Sequence, residues 1–257
     1  MAFIDLHFFS ESLGMQASAY VIIPQGNTAG EIGVNRGESA CEVGRKFKCL
    51  YLLHGLSDDH TIWLRRTSIE RYADEYGICV VMPAGDKSFY TDMKYGKKYY
   101  TYIAHELPRQ ICRFFQVSPK REDTYIAGLS MGGYGALKIG LRDRDRFCAA
   151  AGLSACADVS RVRELFPEVA YHVFGEKNEV SELDDLFALA KAAAGDANRP
   201  RIFMGIGTED FLYEDNQRLR AEFERLGYDY TYRESEGNHN WTFWDEYIQY
   251  VLKWMLS

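Results

Sequence analysis

Aromatic and β-branched residues open the chain in two runs, AFIDLHFFS and QASAYVIIP, parted by a Gly-containing turn, and this pattern predicts a hairpin. From Gln25 to Lys46 the pattern lapses into polar and Gly-rich positions, which predicts a long loop. Beyond it, short unbroken apolar runs alternate with longer helical stretches: CLYLLHG, a helix over about 60 to 75, ICVVMP, a helix over about 99 to 115, TYIAGLS, a helix over 131 to 142, and FCAAAGL. A less regular stretch from Asp158 to Gly175 follows. After it come a helix over 181 to 194, the run RIFMGIG, a helix over 211 to 226 capped by Gly227, the alternating YDYTYRE, and a final helix. In that last helix Trp241, Trp244, Ile248, Val251 and Met255 recur at helical spacing, as core positions do.

Strands that read as continuous hydrophobic runs are covered on both faces, so their alternation with helices implies an α/β architecture with a mostly parallel central sheet. No repeat, low-complexity tract or linker divides the 257 residues, and one domain over 1–257 is expected.

Charge and cysteine usage narrow the function. Thirty Lys and Arg against thirty-seven Asp and Glu leave a net charge of −7, with the basic residues scattered, the wrong sign and distribution for a nucleic-acid partner. The first Lys or Arg is Arg36, so the amino end lacks the basic region of a signal peptide, and no apolar run approaches the ~18 residues of a membrane span. A cytoplasmic protein that does not engage membranes is expected. The six cysteines show no CxxC and no zinc-like spacing. Cys79 and Cys148 lie among apolar residues and are expected to be buried thiols, while Cys41 and Cys49, flanking an irregular segment, would pair only in an oxidising setting.

The sharpest local feature is Gly128-Leu129-Ser130-Met131-Gly132, a GxSxG between the strand-like DTYIA and the helix-like GALKIGLR. That is the strand-turn-helix setting of a nucleophile elbow, in which a strained turn lifts a serine above the sheet and small neighbours avoid collision. A serine hydroxyl needs a base oriented by a carboxylate. In α/β hydrolases the order along the chain is nucleophile, acid, histidine. Of the six histidines only His172 and His239 follow Ser130, and His239, in the loop after the last strand, is the preferred base. The acid is expected after RIFMGIG, where Glu209 and Asp210 stand side by side. The amide of Met131 supplies one oxyanion donor, and the turn after LLHG, at Leu56, is placed to supply the other. His54 then reads as a buried brace for that turn. HGLSDDH departs from the HxHxDH metal pattern at Leu56 and Asp59, and no HExxH occurs, so neither metal nor cofactor is expected.

Five segments, LYLLHGLSDDHTIWLRRTSIERYA, VVMPAGDKSFYTDMKYG, YIAGLSMGGYGALK, GTEDFLYEDN and GNHNWTFWDEYI, resemble in the same order those of the esterase D-like carboxylesterases, and among them the bacterial tributyrin esterases. The resemblance implies an α/β-hydrolase fold: a mostly parallel central sheet with an antiparallel N-terminal hairpin, helices on both faces, and a small cap insertion at about 155–180. It also implies Ser130 as nucleophile, Asp210 as acid, His239 as base, the Leu56 and Met131 amides as oxyanion donors, and a homo-oligomer.

The activity so implied is hydrolysis of a small-molecule ester with a short acyl chain, of tributyrin or aryl-acetate type. Trp63, Phe89 and Tyr90, just beyond strand ends, are candidate substrate-binding residues, and the stretch 158 to 175 is expected to cap a compact apolar pocket. Acetyl-sugar or feruloyl esters and S-formylglutathione are alternative substrates. The thioesterases usually carry GHSMGGHG at the elbow, where this chain has Leu129 and Tyr134. A catalytically silent binding module would be expected to lack a nucleophile, base or acid, and this chain has a candidate for each in the expected order.

Overall fold

The computed structural model describes residues 1–25, 44–177 and 179–257. The greater part of the expected 25–46 loop, with Cys41 in it, lies outside them. The described residues build one eight-stranded sheet in the order β1-β2-β4-β3-β5-β6-β7-β8. β1 (Ala2–Ser10) and β2 (Met15–Ile23) form the antiparallel hairpin, and β2 also runs antiparallel to β4 (Cys79–Pro83). From β4 onward, β3 (Cys49–Leu53), β5 (Thr124–Leu129), β6 (Ala149–Leu153), β7 (Arg201–Gly207) and β8 (Tyr230–Ser235) are parallel.

Every residue of β3, β4, β5 and β6 is buried, which is why these strands read as continuous apolar runs. Side chains alternate between two cores. Tyr51, Val81, Ile126 and Ala150 face one side, and Leu50, Val80, Tyr125 and Ala149 face the other. The first core receives α4 (Leu107–Phe114), α5 (Met131–Arg142), α8 (Leu186–Ala193) and α9 (Tyr213–Arg225). The second receives α1 (Ile62–Arg66), α2 (Ile69–Tyr76) and α10 (Trp241–Leu256). Trp244, Ile248, Val251 and Met255 of α10 are buried as their spacing predicts, whereas Trp241 is half-exposed.

Several elements depart from expectation for local reasons. The helix expected over 60 to 75 is two, α1 and α2, because Thr67 turns extended: its hydroxyl donates to the Trp63 carbonyl at 2.6 Å and accepts the Ile69 amide at 3.2 Å. The helix expected over 99 to 115 starts as α3 (Tyr99–Thr101) and widens into a π-helical turn at Tyr102–Glu106 before α4. Pro108, which has no N–H to donate and a ring that crowds the preceding turn, follows directly. α8 begins at Leu186 rather than 181, capped by the Asp185 carboxylate, which accepts the Phe187 amide at 2.8 Å. The stretch 158 to 175 is more ordered than expected. It holds a 3-10 turn at Val159–Arg161, then α6 (Val162–Leu165) and α7 (Pro167–Phe174), broken where Phe166 precedes proline. Cys79 is buried, but Cys148, just before β6, is only half-buried and so departs from the buried-thiol expectation. Cys49 is a free buried thiol.

Candidate active site

Strand order reverses around β3, whose neighbours are β4 on one side and β5 on the other, so the crevice at the carboxyl ends of β3 and β5 is the position where open α/β sheets hold ligands. Ser130 stands there, between β5 and α5, with φ 54 and ψ −117. The turn is held on both flanks: the Ser130 amide donates to the Leu153 carbonyl at 2.8 Å, and the Cys156 amide donates to the Ser130 carbonyl at 3.1 Å. Glycine is required on either side. A Cβ on Gly128 would lie 2.3 Å from the Gly132 carbonyl oxygen, and one on Gly132 would lie 2.5 Å from that of Leu53.

Ser130, His239 and Asp210, brought from the ends of β5, β8 and β7, meet in one hydrogen-bonded chain. His239 Nε2 lies 3.0 Å from Ser130 Oγ, and His239 Nδ1 lies 2.9 Å from Asp210 Oδ2 and 3.1 Å from Oδ1. A carboxylate only accepts, so Nδ1 carries the proton and Nε2 is left to accept from the serine hydroxyl. Asp210 is buried and also accepts the Leu212 amide at 2.9 Å through Oδ1. The imidazole is bracketed by Phe211, 4.7 Å away between centroids, and by the edge-on Trp244 at 4.9 Å. Glu209 is not in this chain. It accepts from Asn238 Nδ2 at 2.9 Å, and its amide donates to the Gly237 carbonyl at 3.0 Å, which ties down the loop carrying His239. His172 is exposed on α7, away from the cavity lining.

A cavity of about 860 Å³ opens over Ser130 and His239. Leu56, Met131 and Phe89 line it, as do Leu165, Phe166 and Val169 from the 155–180 segment. Met131 is the first residue of α5, so its amide has no acceptor within the helix and stands beside the serine. Two of the three expected substrate-contacting aromatics are elsewhere. Trp63 is buried behind β3 with its indole N–H donating to the Leu53 carbonyl at 3.0 Å, and Tyr90 is buried with its hydroxyl donating to the His54 carbonyl at 2.9 Å. Both support the loop after β3 from behind.

His54 braces the same loop. Its Nδ1–H donates to the Gly55 carbonyl and its Nε2 accepts the Gly85 amide, both at 2.8 Å, and burial lowers its pKa to about 4. Asp58, Trp241 and Trp244 also line the cavity and were not among the expected site residues. The helical period of α10 gave a signal for the tryptophans but read as core packing. Among the described residues no cluster of His, Cys, Asp and Glu is arranged to hold a metal ion, and no helix is long and apolar enough to cross a membrane.

The arrangement can deprotonate a hydroxyl, hold the resulting imidazolium against a carboxylate and present an amide to a developing oxyanion. Comparison with known proteins agrees with that chemistry. A family model described as "Putative esterase" matches residues 11–255. The acetyl esterase of Caldicellulosiruptor saccharolyticus is 31% identical over 270 residues, covering 99% of this chain and 98% of that protein. Among solved structures, the fluorophosphonate-binding serine hydrolase FphF of Staphylococcus aureus, with substrate bound, superposes with a TM-score of 0.89 at 34% identity, covering 100% of this chain and 98% of the other. The S-formylglutathione hydrolase FrmB of Staphylococcus aureus gives a TM-score of 0.86 at 35% identity, covering 100% and 99%.

Proposed function

The chain belongs to the esterase family, and we propose that within it the protein is a serine carboxylesterase acting on short-chain acyl esters. The observation that carries this reading is the chain of hydrogen bonds from Ser130 Oγ through His239 to Asp210. His239 Nε2 takes the hydroxyl proton as Ser130 Oγ attacks the ester carbonyl carbon. The carbonyl oxygen becomes an oxyanion facing the Met131 and Leu56 amides. Collapse breaks the bond to the alcohol, which leaves with the proton from Nε2, and Ser130 holds the acyl group as an ester. Water then repeats the sequence: His239 removes its proton, the acid departs, and Ser130 recovers its hydrogen. Asp210 keeps Nδ1 protonated and stabilises the imidazolium at both stages.

Short acyl chains are favoured because Phe89 and the α6–α7 segment close the apolar side of a cavity that must also hold the alcohol. The likeness to an acetyl esterase supports the same reading. A second reading, hydrolysis of a glutathione thioester, rests on the likeness to the Staphylococcus S-formylglutathione hydrolase.

The test is covalent labelling by a fluorophosphonate probe, which traps an activated serine. The native protein is expected to label and Ser130→Ala to remain unlabelled while folded. A folded native protein that does not label refutes the proposal.

A further inference from the structure

Asp58 puts a carboxylate into the cavity wall beside the nucleophile. The chain turns sharply after β3, the Asp58 amide donating to the Gly55 carbonyl at 3.2 Å. The side chain folds back over the glycine: a Cβ on Gly55 would lie 3.0 Å from Asp58 Oδ2 and 3.8 Å from Ser130 Cβ. Carboxylate and nucleophile therefore share the space over Gly55.

The surroundings make this charge felt. Asp58 is half-buried, and burial, with help from Asp59, pushes its carboxyl above the usual carboxylate range, while the Gly55 backbone, Arg66 and His239 pull the other way. Its neighbours on the lining include Leu56, Leu129 and Met131, which offer no charge of their own. Lys87 and Glu168 also line the cavity, but both are exposed and of opposite sign. Asp58 is thus the half-buried anion of the wall next to the reacting centre, within electrostatic reach of the imidazole that must protonate the departing group.

We propose that Asp58 is a specificity-determining residue for the leaving group: it accepts hydrogen bonds from hydroxyls of a polyol alcohol, such as a partly acetylated sugar, and repels leaving groups that carry net negative charge. This rests on the ester-hydrolase reading above and deepens it, since it selects polyol esters over glutathione thioesters at the same serine. A hydroxyl donating to a carboxylate gains a charge-assisted bond, whereas an anion brought to the same wall meets a like charge poorly screened by water.

The experiment compares kcat/KM for methyl glucoside 6-acetate and for S-acetylglutathione at about pH 8, well above the ordinary carboxylate range. The native enzyme is set beside Asp58→Asn and Asp58→Glu. In Asp58→Asn the ratio of thioester to sugar ester is expected to rise about tenfold or more, because repulsion is removed and the acceptor weakened together. In Asp58→Glu, which keeps the charge, the ratio should stay on the native side. A ratio that stays put in Asp58→Asn, or moves equally in both variants, overturns the proposal. Native protein that hydrolyses neither compound and resists the fluorophosphonate overturns the ester-hydrolase reading itself. Native protein that labels yet strongly prefers the thioester overturns only the role given to Asp58.

Discussion

The indole of Trp244 meets the imidazole of His239 edge-on, with ring centroids 4.9 Å apart and planes at 89°, while its N–H donates to Ser154 Oγ at 3.0 Å. The tryptophan is locked by that bond to a buried serine and so limits how far the imidazole can tilt. Trp244→Phe keeps an aromatic edge but frees it from Ser154. Steady-state kinetics on an aryl acetate should show kcat reduced about tenfold with KM little changed, as for an interaction that orients the base rather than binds substrate. A change confined to KM would contradict this.

Asp210→Asn preserves the shape of the buried partner but presents an amide to Nδ1, which favours the tautomer with its proton on Nε2. That tautomer cannot accept from Ser130. Turnover of an aryl acetate should fall by roughly 10⁴-fold, with circular dichroism unchanged. A loss of less than about tenfold would mean that Asp210 is not the orienting acid.

Gly132→Ala places a methyl group 2.5 Å from the Leu53 carbonyl oxygen and 2.6 Å from that of His54. Backbone on either side cannot yield as a flexible side chain would. The loop after β3 and the amino end of α5 must separate, at a cost of about 2–3 kcal/mol in stability. Urea denaturation checks the stability, and residual activity should fall further than stability alone explains.

His54 couples stability to acid. Its folded pKa of about 4 lies below the 6.5 of an ordinary imidazole, so between these values the unfolded chain binds more protons. Stability contributed by this group is complete above about pH 6.5 and is lost as pH falls toward 4, up to roughly 3 kcal/mol. His54→Gln, which cannot titrate, should show a shallower fall in urea midpoint over that window than the native protein. Parallel curves would place the acid sensitivity elsewhere.

Acyl length is read most directly with a series of p-nitrophenyl esters. Rates per KM should peak between acetyl and butyryl and decline beyond. Phe89→Ala, which opens the cavity wall, should move the peak to longer chains. A native maximum at dodecanoyl or above would refute the short-chain reading.

Much of this fold was legible because its strands are buried on both faces and its helices are periodic. α5 begins and ends at Met131 and Arg142, where the pattern placed it. Ser130 was nameable because the two glycines around it are needed by local sterics, and local sterics leave a motif. His239 followed from chain order and its place after β8; chain order after β7 offered both Glu209 and Asp210, and only the resemblance to the carboxylesterases singled out Asp210. The direction of side chains at strand ends was not legible. Trp63 and Tyr90 follow β3 and β4 as Phe89 does, yet of the three only Phe89 lines the cavity, while the other two donate to carbonyls at the end of β3 and just after it. Asp58 was equally hidden, since its half-burial arises from the way the chain folds back over Gly55 and from walls supplied by residues a hundred positions away.

Ser130 occupies a left-handed backbone conformation that a residue with a side chain holds only under compulsion, at about 1–3 kcal/mol. The molecule would rest more easily with glycine there. Its most useful residue is therefore also one of its least comfortable, kept in place by the Leu153 carbonyl at the end of β6 and the Cys156 amide just beyond it. A lineage that no longer needed the reaction would find the silent form the hardier one, and heat alone would never choose the working version.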